Sequence, residues 1–438
     1  MTTGIDMTGQ RVIAINRFYW PDHSATSQLL TDLAEQLATL EAEVIVITSR
    51  LRYDGPSQTL DPVEAHRGVR VKRIWTTRFG RGNVLGRAID YITFYVSALF
   101  CLIATVKKND VVIAKTDPPM ISVVAAFAVK LRKATLINWC QDIFPEIAGA
   151  LGITWSKGPI GKVLIAVRNW SLRSAKVNVV LDPDMALRVR GFGVRDDQIE
   201  IIENWCDRNI RPIPRSENTL AKEWGIGDEI IIGYSGNLGR AHAVDTIIEL
   251  VSETRSINDL RFIFIGGGAG LAKLKAALGE DIANGRVLLR PYQDRSRLSE
   301  SLSIPDFHIV SLDPACDGLI FPSKVYGILA AQREVVALSS ESGALAELVR
   351  KQACGFCLPI GAGHSEARDK VMSKLLSRDF VHIRKRGSDK RETENSDFAG
   401  HPISQWCEVI AATGGLVLSS TSSGVCNEPQ AKRTAAVI

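Results

Sequence analysis

The chain has 438 residues, 45% of them hydrophobic and 23% charged, a composition that excludes a wholly disordered chain, a collagen and a small disulfide scaffold and suits two or three domains. The formal net charge of +5, from 53 basic and 48 acidic residues, is too mild for a dedicated nucleic-acid binder. The surplus lies in residues 1–208, with 26 basic and 21 acidic side chains, whereas the remainder holds 27 of each.

Arg11–Asn16 is short, apolar and β-branched, and reads as a buried parallel strand. A loop with Pro21 and Asp22 follows, and Ser24 or Thr26 suits the cap of a helix through Leu29, Leu30, Leu33, Leu37 and Leu40. Val44–Thr48 is the next strand, completing a βαβ unit that predicts an α/β domain with a parallel sheet. Val69–Trp75 continues it and runs into a basic stretch: Arg67, Arg70, Lys72, Arg73, Arg78, Arg81 and Arg87 stand without an acid between residues 65 and 89.

Ala88–Val106 follows, with Asp90 its one charge and Lys107 and Lys108 behind it. Its length is at the lower edge for a membrane span. Spanning would tear one sheet apart between the strands on either side, so a helix of the first domain is expected. That helix is either simply buried or lays an apolar face on the bilayer interface, with Arg70, Arg73, Arg78 and Arg81 on anionic headgroups. Asp110–Ala114, Ala134–Trp139 and Lys176–Leu181 extend the sheet. Ile199–Trp205 leads into a Pro- and Asn-rich linker, placed at 209–228 after a first domain of 1–208.

A second alternating series begins at Glu229–Tyr234, with a helix near 243–255 and strands Arg261–Ile265, Val287–Arg290, Phe307–Ser311 and Val335–Leu338. This gives a second domain over 229–375. A helical segment is expected over 376–412, with a short helix at Ile403–Ile410, and a disordered tail over 413–438. Two α/β halves put the main cleft between them. The eight cysteines hold one C-x-x-C, Cys354–Cys357, with no second pair or His pair at metal spacing, so ordinary thiols in a reducing compartment are expected. The N-terminus shows no basic stretch followed by an apolar one, which points to the cytoplasm.

Gly236-Asn-Leu-Gly-Arg-Ala-His242 follows a strand and precedes a helix. Its glycines let backbone N–H groups approach an anion, and Asn237, Arg240 and His242 add donors for phosphate oxygens. Gly266-Gly-Gly-Ala-Gly270 is not a full G-x-G-x-x-G, and no acidic residue stands at a strand end about 20 residues on. A close helix–strand turn beside a nucleotide is expected there, not an NAD site. In Asp317–Gly327, Pro322 and Ser323 suit a first helical turn and Lys324 offers a point charge to a diphosphate. Asp142 closes a first-half strand and either faces the cleft, orienting or stabilising a reacting group, or caps the helix before Pro145. Asp117-Pro-Pro119 shapes the neighbouring rim.

Tyr19–Pro21 with Ala25-Thr26, Asp142–Glu146, Asn204-Trp205, the 234–242 loop, Phe264–Gly268 and Gly318–Tyr326 form an ordered set that resembles the family 4 glycosyltransferases of the GT-B fold. The likeness is to the bacterial exopolysaccharide and colanic-acid-type subgroup, over roughly residues 10–375. The resemblance implies two Rossmann-like domains with parallel sheets facing a cleft, the first for an acceptor and the second for a nucleotide-sugar donor. It implies retention of anomeric configuration, with no metal and no cofactor. It places Gly236, Asn237, Gly239, Arg240, His242 and Lys324 at the donor diphosphate, Gly266, Gly267, Asp317, Gly318, Pro322, Ser323 and Tyr326 around the donor, and Asp142 at the reacting centre. Asp22, Ser24, Thr26 and Asp117 fall to the acceptor.

The sequence departs from the family at Gly327 and Leu319, where a Glu-x7-Glu pair would fall, and at Asn237 and His242, where Arg and Lys would stand. In Ala331-Gln-Arg-Glu334, Gln332 and Glu334 replace a glycine and a proline, which is expected to disturb a turn beside the donor. The reading is transfer of a sugar from a nucleotide diphosphate sugar to a saccharide on a polyprenyl diphosphate lipid. The enzyme would be peripheral on the inner membrane face, with no nucleic-acid partner. A sugar-nucleotide epimerase of similar fold and an inactive sugar-nucleotide-binding subunit are the alternatives.

Overall fold

The computed structural model describes residues 5–22, 24–53, 59–80, 84–153, 158–360 and 397–415. Two sheets organise them. The first holds β1 (Arg11–Ile15), β2 (Glu43–Ser49), β3 (Val63–His66), β4 (Val69–Ile74), β5 (Val111–Lys115), β6 (Thr135–Trp139), β7 (Val177–Val180) and β8 (Ile199–Ile201), in the order β3-β4-β2-β1-β5-β6-β7-β8. Every pairing is parallel except β3 with β4. β1, β2 and β5 are apolar over almost their whole length because helices cover both faces.

Helix Val84–Thr105 lies across the first sheet. It is long and apolar enough to cross a membrane. Phe94, Ala98 and Leu102 are nevertheless buried in the core against Ile13, Ile45 and Val112, and the strands before and after the helix belong to one sheet. The helix therefore lies on the sheet, as expected. Its outer face is uncovered: Leu85, Ile92, Val96 and Phe100 are exposed along one side, beside Trp75 and Phe79.

The second sheet holds β9 (Ile230–Asn237), β10 (Leu260–Gly267), β11 (Val287–Arg290), β12 (Phe307–Ser311), β13 (Glu334–Ser339) and β14 (Gly355–Pro359), in the order β11-β10-β9-β12-β13-β14. All its pairings are parallel. The stretch expected as a linker is part of this half. Helix Thr219–Glu223 and Ile226 pack on Ile231, Ile263 and Ile304, and Arg215 pairs with Asp306 at 2.8 Å.

The chain then returns. Helix Asp397–Thr413 sets Ile403, Trp406, Cys407 and Ile410 into the core of the first sheet. Trp406 packs on Trp139, with ring centroids 4.5 Å apart. The C-terminal segment is thus a crossover helix on the first domain, longer than the expected 403–410 piece. The intervening residues 361–396, and the tail from 416 on, lie outside the described residues. Among the described residues seven cysteines, Cys354 and Cys357 included, form no disulfide, and no metal-holding cluster occurs.

The 331–334 turn is intact. Arg333 N–H donates to Ile328 O at 3.1 Å and Gln332 N–H to Leu329 O at 2.9 Å. This is the paired bonding that ends a helix through a left-handed residue. Gln332 adopts that conformation at φ 53°, so the glutamine tolerates the glycine's place at a cost of about 1 kcal/mol. Gln332→Gly should raise stability by about 0.5–1 kcal/mol, the strain relief being partly offset by a freer unfolded chain. A denaturant midpoint that falls would refute this. Glu334, for its part, opens β13 opposite Phe307.

Candidate active site

β9 and β10 run past the core and pair Gly236 with Gly266 and Asn237 with Gly267. A Cβ on Gly266 would lie 2.3 Å from Gly236 O, and one on Gly268 would lie 2.5 Å from Leu238 O. Bare backbone is therefore required where the two loops cross, as the close turn read from the sequence demands. Gly267 instead meets the Tyr292 ring, 3.3 Å from a would-be Cβ.

Lys324 begins helix Lys324–Ala330, and its ammonium lies over this crossing. Nζ donates to Tyr234 Oη at 2.5 Å and stands 3.8 Å from the centre of that ring. A Cβ on Gly236 would be 3.6 Å from Nζ. Tyr234 Oη in turn donates to Asn237 O at 2.8 Å. Among the described residues no carboxylate pairs with Lys324, and burial lowers its pKa to about 7. A half-buried, desolvated ammonium with no carboxylate beside it among the described residues suits an anion, which would raise that pKa again. Tyr234 is the residue sequence reasoning passed over; it stood in the quoted strand, at the end nearest the loop.

Asn237 and Arg240 are exposed on the loop after β9, and Gly239 is half-buried between them. His242 turns inward. Its Nδ1 is 2.7 Å from Ser311 O, so that nitrogen carries the proton and donates. Burial, then the nearby Lys324 charge, hold its pKa near 4. His242 thus braces the loop through Nδ1, and that nitrogen is not the one it could offer to a diphosphate.

Asp142 lies at the end of β6, on the first-domain side. Burial, reinforced by the charge of Asp117 and opposed by a hydrogen bond from Thr116, raises its pKa to about 7. Its Oδ1 is sealed from solvent and has no hydrogen-bond partner among the described residues. The capping alternative fails: the cap position of helix Glu146–Ala150 is Pro145, with no side-chain cap. Two unassigned residues hold this loop. Gln141 and Asn204 exchange amide hydrogen bonds of 2.9 and 3.0 Å, and Gln141 N–H donates to Thr116 Oγ1 at 3.1 Å. Only the Asn204-Trp205 motif signalled them.

The two halves meet at this point. Asp142 forms an antiparallel bridge with Ile320, and Ile143 N–H donates to Leu319 O at 2.8 Å. The segment that carries Lys324 is thereby stitched to the loop that carries Asp142. Several residues assigned to the donor also make contacts at this seam. A Cβ on Gly318 would lie 2.8 Å from Arg188 Nε, and Arg188 donates to Asp317 O at 2.8 and 2.5 Å. The Asp317 carboxylate accepts from Ser340. Tyr326 is buried, its neighbours Glu203 and Asn204 lying where the chain leaves the first domain. Pro322 is buried and Ser323 half-buried ahead of Lys324.

On the acceptor side, Asp22 is an organiser. Its oxygens accept from Ser24 N–H at 3.0 Å and Tyr53 N–H at 2.6 Å, which leaves it little capacity for a substrate. Ser24 precedes helix Ala25–Thr39 without capping it through its side chain, and Thr26 is half-buried in the first turn. Asp117 stands next to Asp142 electrostatically. The basic run divides. Arg70 and Arg78 are exposed, but Arg73 is 4% exposed, bonded to Glu64 at 2.6 Å and to Trp20 O at 3.0 Å. Arg73 is therefore structural and not membrane-contacting, because β4 turns it inward. Arg81 lies outside the described residues.

Two predominantly parallel sheets, with a lysine at a glycine loop on one half and a strand-end carboxylate on the other where the halves meet, suit the GT-B fold, and the comparisons agree. Residues 25–205 match the glycosyl transferase 4-like domain. WbjE of Pseudomonas aeruginosa, named as a probable glycosyltransferase, is 25% identical over 294 residues, 64% of this chain and 70% of that one. WcaI of Escherichia coli K12, named as a colanic acid biosynthesis glycosyl transferase, is 25% identical over 348 residues, 75% and 83% of the two chains. The Anabaena protein HepE, solved with UDP-glucose, superposes with a TM-score of 0.65 at 15% identity, over 92% of this chain and 99% of that one. The fold is GT-B, and over residues 25–205 the chain resembles the glycosyl transferase 4-like domain shared by glycosyltransferases of polysaccharide biosynthesis.

Proposed function

We propose that the protein moves a sugar from a nucleotide diphosphate sugar to a lipid-linked saccharide, with retention and without a metal, in bacterial surface polysaccharide assembly. The observation that carries this is the unpaired ammonium of Lys324 between Tyr234 and Gly236. As the glycosidic bond breaks, charge builds on the diphosphate oxygens. Lys324, Arg240 and the loop amides oppose that charge, and they do most in a site already stripped of water. The UDP-glucose held by HepE supports a nucleotide-sugar donor. Retention rests on the family resemblance. Asp142 orients the acceptor and stabilises positive charge developing at the sugar. The intact 331–334 turn and the crossover helix Asp397–Thr413 weigh against an inactive subunit. The test is a panel of nucleotide sugars followed by analysis of the lipid-extractable product.

The membrane reading, on the cytoplasmic face, is supported by the outer side of helix Val84–Thr105. Leu85 is 68% and Phe100 69% exposed, and each would gain about 1.5–3 kcal/mol on full burial in a bilayer interface. Arg78, Lys107 and Lys108 are exposed close to it in sequence. Val96→Glu with Phe100→Glu should lower flotation with anionic vesicles about tenfold or more while leaving donor binding intact. Undiminished flotation would return this helix to plain surface.

A further inference from the structure

We infer that a cavity in the first domain holds the diphosphate of the acceptor lipid. The inference rests on the lipid-linked acceptor proposed above. The cavity, of about 140 Å³, is lined by Arg17, Phe18, Arg52, Tyr53, Arg87 and Asp90, with Leu51 and Gly80. That is many times the ~10–15 Å³ one water requires.

Its charge is unbalanced toward anion binding. Three guanidinium groups face one carboxylate, and that carboxylate is already engaged. Asp90 Oδ1 accepts from Thr77 Oγ1 at 2.6 Å and Phe79 N–H at 3.0 Å, and Oδ2 accepts from Gly80 N–H at 3.0 Å. Arg17 Nη2 is 3.6 Å from Asp90, too far for a hydrogen bond. Arg17 is 8% exposed, and its Nε has no partner. Its guanidinium lies 5.3 Å from the Phe18 ring centre and 5.0 Å from that of Tyr91. Aromatic rings hold it in place while its N–H groups stay available for phosphate oxygens.

The position selects a lipid over a free phosphate. Arg87 belongs to helix Val84–Thr105, two residues from the exposed Leu85, and Gly80 follows the exposed Phe79. A diphosphate here would lie at the level of an interface in which its prenyl chain is buried. The position also faces the chemistry. Arg17 N–H donates to Asp117 O at 2.6 Å, and Asp117 is the charge that acts on Asp142. β1, β5 and β6 are adjacent, so a saccharide on this diphosphate extends along the rim toward the cleft.

The test compares wild type with Arg52→Gln/Arg87→Gln, both half-exposed positions, and with Arg17→Lys. The probes are phosphatidylcholine vesicles with and without a polyprenyl diphosphate, and inorganic pyrophosphate in solution. Wild type should bind diphosphate vesicles more tightly than plain ones. The double variant should lose about tenfold or more of that increment, keep its binding to plain vesicles and keep thermal stabilisation by UDP. Arg17→Lys should fall between the two. If wild type gains nothing from the diphosphate lipid, the lipid-linked acceptor itself is wrong. If wild type gains and both variants gain equally, the acceptor stands and the cavity assignment is overturned. Pyrophosphate binding as tight as that of the vesicle-borne lipid would overturn the lipid source.

Discussion

Lys324→Met is expected to cut kcat/KM for the nucleotide sugar by about a hundredfold to a thousandfold while making the folded protein more stable. The two effects share one cause. Lys324 is half-buried beside Tyr234 with no carboxylate paired to it among the described residues, and desolvation lowers its pKa to about 7 from 10.5. Between pH 7 and 10.5 the unfolded chain holds a proton that the folded one lacks, so this group makes stability rise with pH across that window. Below pH 7 its burial cost is present in full. The methionine variant should therefore exceed wild type most at or below pH 7, and the difference should vanish as pH approaches 10.5. Donor binding runs the other way. A diphosphate raises the pKa of Lys324 in the complex, so donor affinity should weaken above pH 7, and the methionine variant should lose that dependence. Melting curves across pH, with and without UDP, check both.

Asp142→Asn should lower kcat by about a hundredfold or more with little change in the KM for the donor. Its backbone pairing with Ile320 is independent of the side chain, so the Lys324 segment keeps its place. The carboxyl pKa is raised from 3.8 to about 7. In that interval the folded state holds the extra proton, and wild-type stability contributed by this group falls as pH rises through it. The asparagine variant should thus gain stability relative to wild type most clearly above pH 7. Because the ionised form is the one that stabilises positive charge, the wild-type rate should climb through pH 7 before deprotonation of Lys324 turns it down. An Asn variant with the wild-type kcat would remove Asp142 from the reaction. A lost donor KM with retained kcat would make it a structural link between the halves.

The sheet strands announced themselves because strands buried on both faces are continuous apolar runs, such as Val44–Thr48 and Phe307–Ser311. Two escaped. β3 is an exposed antiparallel edge strand of only four residues, and β14 carries the C-x-x-C, whose chemistry drew attention from its pairing with β13. Lys324 and the glycine loops were readable, since phosphate sites on strand–helix turns have local signatures. The roles of Tyr234, Gln141 and Asn204 were not, although Asn204 stood in a quoted motif, because each acts through a partner distant in sequence: Tyr234 and Lys324 are 90 residues apart, Gln141 and Asn204 63. The basic run misled for the same reason. A strand alternates its faces, so Arg70 stays outside while Arg73 is buried on Glu64. Gly318 and Tyr326 were assigned to the donor from their place in a motif, and their contacts at the seam between the halves had no local signature.

Calorimetric titration of wild type and Lys324→Met with UDP, GDP and ADP, at about pH 6 and about pH 9, tests the donor site most directly. At least one nucleotide should bind wild type, more weakly at the higher pH, and bind the variant about a hundredfold less tightly at the lower pH, with no dependence on pH. Equal binding to the two proteins, or a wild-type affinity that ignores pH, would contradict the assignment of Lys324 to the donor diphosphate.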